Sequence, residues 1–236
     1  MANAGISPSL VPLSLLMAER LVVGGLTPFT TIDFPGRLAA VVFCQGCPWR
    51  CGYCHNQHLQ PPQGDAQQWN DVRDWLISRQ GLLDAVVFSG GEPLLQRGLT
   101  AALNDVRRLG FATGLHTAGI YPQRLAAALP LLDWVGLDIK GPFADYPRIT
   151  GGGSGEAARQ ALALLRETGT AHEIRCTVDT SLLDADDMER MADELADLGA
   201  SQLLLQACRL PGQSPHLPET LITAAARRIR VEVREV

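Results

Sequence analysis

Cys47, Cys51 and Cys54 stand as C-x3-C-x2-C, with Tyr53 just before the last of them and Cys44 three residues upstream of the first. Two short loops of this spacing can bend three thiolates around one compact inorganic centre, and iron–sulfur clusters take thiolates at such spacings. A fully ligated four-iron cluster takes four. Three leave one iron open, and an open metal position is one that a substrate or cosubstrate can occupy. The spacing therefore points to a catalytic cluster rather than an electron carrier. Zinc held by all four thiolates is an alternative, although structural zinc usually draws on two well-separated cysteine pairs. A disulfide framework fits less well, because no secretory signal precedes the cysteines and the chain is not small.

Other chemistry-bearing residues stand at the ends of apolar runs. In Ser89-Gly90-Gly91-Glu92-Pro93 the paired glycines admit a ligand close to the backbone and Pro93 fixes the turn. The same residues also suit a plain strand-to-helix turn. Asp138 and Lys140 flank Ile139, so both project to one face if the segment is a strand. Such a charged pair is costly to bury unless it binds something, and a solvated surface ion pair is the alternative. Glu173 and Arg175 repeat the same geometry. His116 precedes Thr117-Ala118-Gly119 and reads as a structural histidine.

The elements that must position these residues alternate. Strands are expected at Leu38–Phe43, Leu83–Phe88, Phe111–His116, Trp134–Ile139, His172–Val178 and Gln202–Gln206, with a short one at Leu21–Gly25 and an edge strand at Ile229–Val233. Helices are expected at Gln67–Arg79, Leu99–Leu109, Tyr121–Leu129, Gly155–Thr168, Ala185–Leu198 and Leu217–Arg228, three of them ended by Gly110, Gly169 and Gly199. This is the pattern of an α/β fold with a parallel sheet and right-handed crossovers. The six core strands are fewer than a full eight-stranded barrel needs, and the cysteine loop follows the first at the end where active sites of parallel α/β folds sit. An open barrel would expose its interior along one side.

The 236 residues and 46% hydrophobic content suit a single domain with a large core. We expect residues 1–16 to be a poorly packed tail, suggesting a start placed upstream of the true one, and residues 17–236 to form that domain. The net charge of −5, without a basic stripe, argues against nucleic acid as a partner. No apolar run is long enough to span a bilayer. Cys176 and Cys208 read as buried thiols in a reducing compartment, the cytoplasm.

C-x3-C-x-aromatic-C resembles the signature of the radical SAM enzymes. Gln45-Gly46-Cys47 and Tyr53-Cys54-His55-Asn56 look like the glycyl-radical-enzyme activases among them. Leu26-Thr27-Pro28-Phe29 and Ile32-Asp33-Phe34-Pro35-Gly36-Arg37 are similar to the anaerobic ribonucleoside-triphosphate reductase activating proteins. The resemblance covers roughly Leu21 to Gln206. It implies a partial (β/α)6 barrel in which Cys47, Cys51 and Cys54 hold a [4Fe–4S] cluster whose open iron chelates S-adenosylmethionine. It implies that Gly90, Gly91 and Glu92 meet the amino group of S-adenosylmethionine and that Tyr53 lies against the adenine. Asp138 and Lys140 would lie near the ribose and the substrate loop, with Arg175 near the cosubstrate. Thr117 and Gly119 match the family's Thr-Asn-Gly, whereas Ala118 replaces the amide residue. Cleavage would yield a 5′-deoxyadenosyl radical that takes hydrogen from a glycine of a partner enzyme, with a flavodoxin or ferredoxin as reductant. Other readings stay open: a radical SAM enzyme acting on a small molecule, or a non-catalytic zinc module. Cys44 is assigned no ligand role.

Overall fold

Apolar runs separated by amphipathic stretches build one sheet with helices on its outer face. The computed structural model describes residues 21–64, 66–209 and 215–234; the expected tail at residues 1–16 lies outside them. Among the described residues the strands are β1 (Val22–Thr30), β2 (Ala39–Cys44), β3 (Gln67–Gln68), β4 (Ala85–Gly90), β5 (Ala112–Thr117), β6 (Trp134–Asp138), β7 (His172–Val178), β8 (Gln202–Ala207) and β9 (Arg230–Arg234). They form a single sheet in the order β3-β1-β2-β4-β5-β6-β7-β8-β9. From β2 to β9 neighbours are parallel, while β1 runs antiparallel to both β2 and β3. The helices are α1 (Trp69–Ile77), α2 (Leu99–Arg108), α3 (Pro122–Ala128), α4 (Tyr146–Thr150), α5 (Gly155–Thr168), α6 (Ala185–Asp197) and α7 (Glu219–Ala225).

All six expected core strands are present. Three features differ from the sequence expectation. β1 runs to Thr30, because pairing with β2 carries it past Gly25 through two register shifts. Gln67 and Gln68, expected to open the first helix, instead form β3 against β1, while the expected edge strand does lie at the sheet's edge, as β9 paired in parallel with β8. The short helix α4 lacked any sequence signal, since Pro147 and Gly151 bound so few helical residues.

Side-chain alternation sorts the sheet into two layers. Ala40, Val42, Val86, Phe88, Leu115, Leu137, Cys176 and Leu205 pack outward into the helix layer with Trp69, Leu103, Leu162 and Met188. Ala39, Val41, Ala85, Val87 and Trp134 face the other way, around Phe34. Phe34 comes from the 31–37 segment that follows β1. Its ring lies 5.6 Å from that of Trp134, over Gly114, where a Cβ would stand 3.0 Å from the Phe34 ring. The sheet thus curls around a plug donated by its own N-terminal segment, and the cavity that carries the candidate site opens at the C-terminal ends of the strands.

Candidate active site

The cysteine loop leaves the C-terminal end of β2 and is held by backbone pairing on both flanks. Gly46 N–H donates to the Leu59 carbonyl at 2.7 Å and Cys47 N–H to that of Gln60 at 3.0 Å. Gln45 is 2% exposed, and its side-chain amide donates to the His58 and Pro61 carbonyls at 3.0 and 2.7 Å, closing the base of the loop. On the far side Arg50 N–H donates to the Thr150 carbonyl at 2.8 Å, and Trp49 packs edge-on against Tyr146, ring centroids 5.6 Å apart.

The turn after β4 braces the loop from below. Gly91 N–H donates to the Cys44 carbonyl and Glu92 N–H to the Gly46 carbonyl, at 3.0 and 2.9 Å. The chain passes so close that a Cβ on Gly91 would collide with the Gly46 carbonyl, and one on Gly90, whose φ is +115°, would come within 2.6 Å of Cys44 backbone atoms. These glycines admit the protein's own cysteine loop. Glu92 is buried at 1% exposure. Its carboxylate accepts from Thr117 Oγ1 at 2.7 Å and from the backbone N–H groups of Leu94 and Ala118, both at 3.0 Å. Glu92 therefore ties β4 to the end of β5. Burial raises its pKa to about 6, against the lowering effect of those three donors.

Charged groups line the ends of β6 and β7. Arg175, 6% exposed, donates from Nε to Asp138 Oδ1 at 2.9 Å, and its Nη2 stands in ion-pair contact 2.9 Å from the same oxygen. Gly136 makes room, since a Cβ there would stand 2.8 Å from the guanidinium carbon. Burial alone would raise the Asp138 pKa, but Arg175 and Lys140 hold it below the usual carboxylate range. Burial opposes charge on Lys140, yet Tyr53 and Asp138 keep its pKa above the ordinary lysine value. His116 Nε2 lies 2.9 Å from the Asp33 carbonyl and 3.2 Å from Arg175 Nη1. Burial, then Arg175, lowers its pKa to about 3, so the ring is neutral.

One cavity of about 340 Å³ is lined by Cys47, Cys51, Cys54, Tyr53, Gly90, Gly91, Glu92, Thr117, Asp138, Lys140 and Arg175. The three signature cysteines and the residues expected around the cosubstrate are therefore gathered into one space, of a size common for small-ligand sites, whereas Glu173, singled out beside Arg175, does not line it. Cys44 does not line it: Phe43 faces the cavity, and alternation turns the Cys44 thiol into the outer layer, where it is fully buried. Cys208, expected to be buried, is partly exposed. Gln45 and the plugging Phe34 emerge only from the fold. Both lie within the motifs that carried the family resemblance, which was the one signal available for them.

The donor set fits an iron–sulfur cluster with a cosubstrate beside it. Burial pushes the Cys47 thiol up to about 11, opposed by the Trp49 N–H, and burial likewise raises Cys51. Metal must therefore displace the Cys47 and Cys51 protons on binding. Among the described residues no three His, Cys, Asp or Glu side chains converge as single-ion ligands. A tetrathiolate zinc site would need four sulfurs each about 2.3 Å from one ion, and the Cys44 thiol faces the outer layer, away from the cavity that Cys47, Cys51 and Cys54 line. Cluster thiolates are each bound to a different iron. Two polar groups on the cavity wall make no hydrogen bond among the described residues. Tyr53 Oη is buried without a hydrogen-bond partner, and no hydrogen bond or ion pair takes up the Lys140 ammonium.

Comparison with known proteins agrees with this geometry. The sequence profile described as the radical SAM superfamily matches residues 41–172. A Methanocaldococcus jannaschii protein designated a glycyl-radical enzyme activating enzyme is 29% identical over 190 residues, covering 75% of this chain and 77% of that protein. The pyruvate formate-lyase-activating enzyme of Streptococcus mutans is 28% identical over 180 residues, covering 70% of this chain and 68% of that one. In fold, the crystal structure of QueE from Escherichia coli superposes with a TM-score of 0.61 at 21% identity, covering 94% of this chain and 97% of that one.

Proposed function

This chain belongs to the radical SAM superfamily, and we propose that within it the chain is a glycyl-radical-enzyme activase whose partner is the anaerobic ribonucleoside-triphosphate reductase. Its cofactors are those of the superfamily, a [4Fe–4S] cluster and S-adenosylmethionine. The observation that carries the proposal is the gathering of Cys47, Cys51 and Cys54 with the C-terminal ends of β4 to β7 around one cavity. Activating enzymes among its relatives support the activase class. The motifs at residues 26–37 favour the reductase as partner.

When bound, the cluster and S-adenosylmethionine supply one-electron reductive cleavage and hydrogen-atom abstraction. The chain's own residues hold and enclose them. Cys47, Cys51 and Cys54 would each give a thiolate. Glu92 spends its carboxylate on Thr117, Leu94 and Ala118, and so fixes the Gly90-Gly91 turn against the cysteine loop. Asp138 is aimed by Arg175, while the Lys140 ammonium and Tyr53 hydroxyl stand ready for polar groups of the cosubstrate. The reductant would be a flavodoxin or ferredoxin. All six cysteines are free thiols, which suits the cytoplasm, and no helix among the described residues is long and apolar enough to cross a membrane.

Isotope transfer tests the proposal. A reductase labelled with dideuterated glycine, incubated anaerobically with the reconstituted protein, S-adenosylmethionine and a reductant, should pass deuterium into 5′-deoxyadenosine. Deuterium-free 5′-deoxyadenosine with every glycyl-radical enzyme tried would count against activase function and leave a small-molecule substrate. A colourless anaerobic preparation holding zinc alone would remove both.

A further inference from the structure

His55 follows the last cysteine of the loop and does not enter the reading above. Its Nε2 lies 3.1 Å from the carbonyl oxygen of Arg209 and 3.3 Å from its backbone nitrogen. One tautomer donates to the carbonyl and the other accepts from the N–H, so either holds the same residue. The two partners are far apart in the sheet. His55 belongs to the loop that leaves β2, Arg209 follows β8, and β4, β5, β6 and β7 lie between those strands. His55 and Gln206 both line the cavity rim. The hydrogen bond therefore spans the mouth that the strand ends surround, joining the loop on β2 to the exit of β8 where no strand pairing joins them.

We propose that His55 is a positioning residue whose hydrogen bond to Arg209 ties the rim of the split barrel shut above the cosubstrate, leaving a macromolecular substrate to enter at the side. The tie itself stands on geometry; its effect on the cosubstrate rests on the reading of the cavity as the S-adenosylmethionine site. Two variants separate the hydrogen bond from the bulk of the ring. His55→Phe keeps a planar ring and loses the bond. His55→Gln reaches about as far and can donate or accept.

The experiment uses the reconstituted protein with two readouts. The first is the rate of tryptic cleavage after Arg209, with the cut identified by mass. The second is the KM for S-adenosylmethionine in reductant-driven cleavage, at matched iron content. His55→Phe should speed the Arg209 cut and raise the KM roughly three- to tenfold, the loss expected for one hydrogen bond. His55→Gln should stay near the wild type in both. A His55→Phe protein that is cut at the wild-type rate, or that keeps the wild-type KM, overturns the proposal. A wild-type protein that cleaves no S-adenosylmethionine contradicts the functional reading instead, and the proteolysis readout then decides whether the tie exists.

Discussion

Cys44 and Cys47 lie three residues apart and face different surroundings. Cys44 is fully buried in the outer layer, whereas Cys47 lines the cavity. Cys44→Ala should cost about 1 kcal/mol of stability, read from the urea midpoint, and leave iron, sulfide and 5′-deoxyadenosine production near normal. Cys47→Ala, Cys51→Ala and Cys54→Ala should each lose iron and abolish 5′-deoxyadenosine formation. A Cys51→Ala protein with normal turnover would refute the ligand set. Spacing alone singled out the three cysteines and left Cys44 aside, whereas the alternation along β2 that turns the Cys44 thiol from the cavity is visible only in the fold. The engagement of Glu92 was not legible, since its partners Thr117 and Ala118 come from another strand and only folding brings them near. Glu92 also implies a pH dependence. Its folded pKa of about 6 lies above the ordinary 4.5, so its contribution to stability is fully present below pH 4.5 and lost as pH rises to about 6. That loss amounts to roughly 2 kcal/mol. The stability of the apo wild type relative to Glu92→Gln should therefore fall across that window; a difference flat from pH 4.5 to 7 would contradict the assignment.

At the scale of elements, two close approaches decide the site. The β4 turn meets the cysteine loop backbone to backbone at Gly91 and Gly46, and neither chain can retreat without breaking the hydrogen bonds made by Gly91 and Glu92. Gly91→Ala should cost about 2–4 kcal/mol and lower iron retention on reconstitution. Gly136→Ala first meets the guanidinium end of Arg175 and no backbone atom as closely, so it should spare the cysteine loop and change the KM for S-adenosylmethionine by moving Arg175 off Asp138. Equal damage by the two substitutions would show that the contacts are misjudged. The plug behaves differently. Phe34→Ala should destabilise by about 3–4 kcal/mol, measured by thermal unfolding, yet leave the cluster loop intact. The core strands were readable from apolar runs, and the helices other than α4 from their spacing and terminal glycines. The plug was not, because Phe34 sits in a turn whose burial depends on Gly114 and Trp134 some eighty to a hundred residues away.

The whole molecule is a curled sheet whose two ends, β3 and β9, are not paired with each other among the described residues. Residues from β2 and from β4 through β9 all reach one cavity, so the curl brings distant strands together without closing them. The seventh parallel strand adds Arg234, whose guanidinium pairs with Glu173 at 3.0 Å and borders the cavity on its open side. An interior left open at the side between the unpaired ends of the sheet suits a substrate that is itself a protein loop, and the proposed activase function depends on that feature. Electron paramagnetic resonance on the partner tests it most directly. The reconstituted protein, the anaerobic ribonucleotide reductase, S-adenosylmethionine and a reductant are mixed without oxygen, and the spectrum is recorded after the reductase is separated. The account predicts a glycyl radical on the reductase that requires S-adenosylmethionine and is absent when Cys51 is replaced by Ala. A reductase without a radical signal, while S-adenosylmethionine is still consumed, would contradict it.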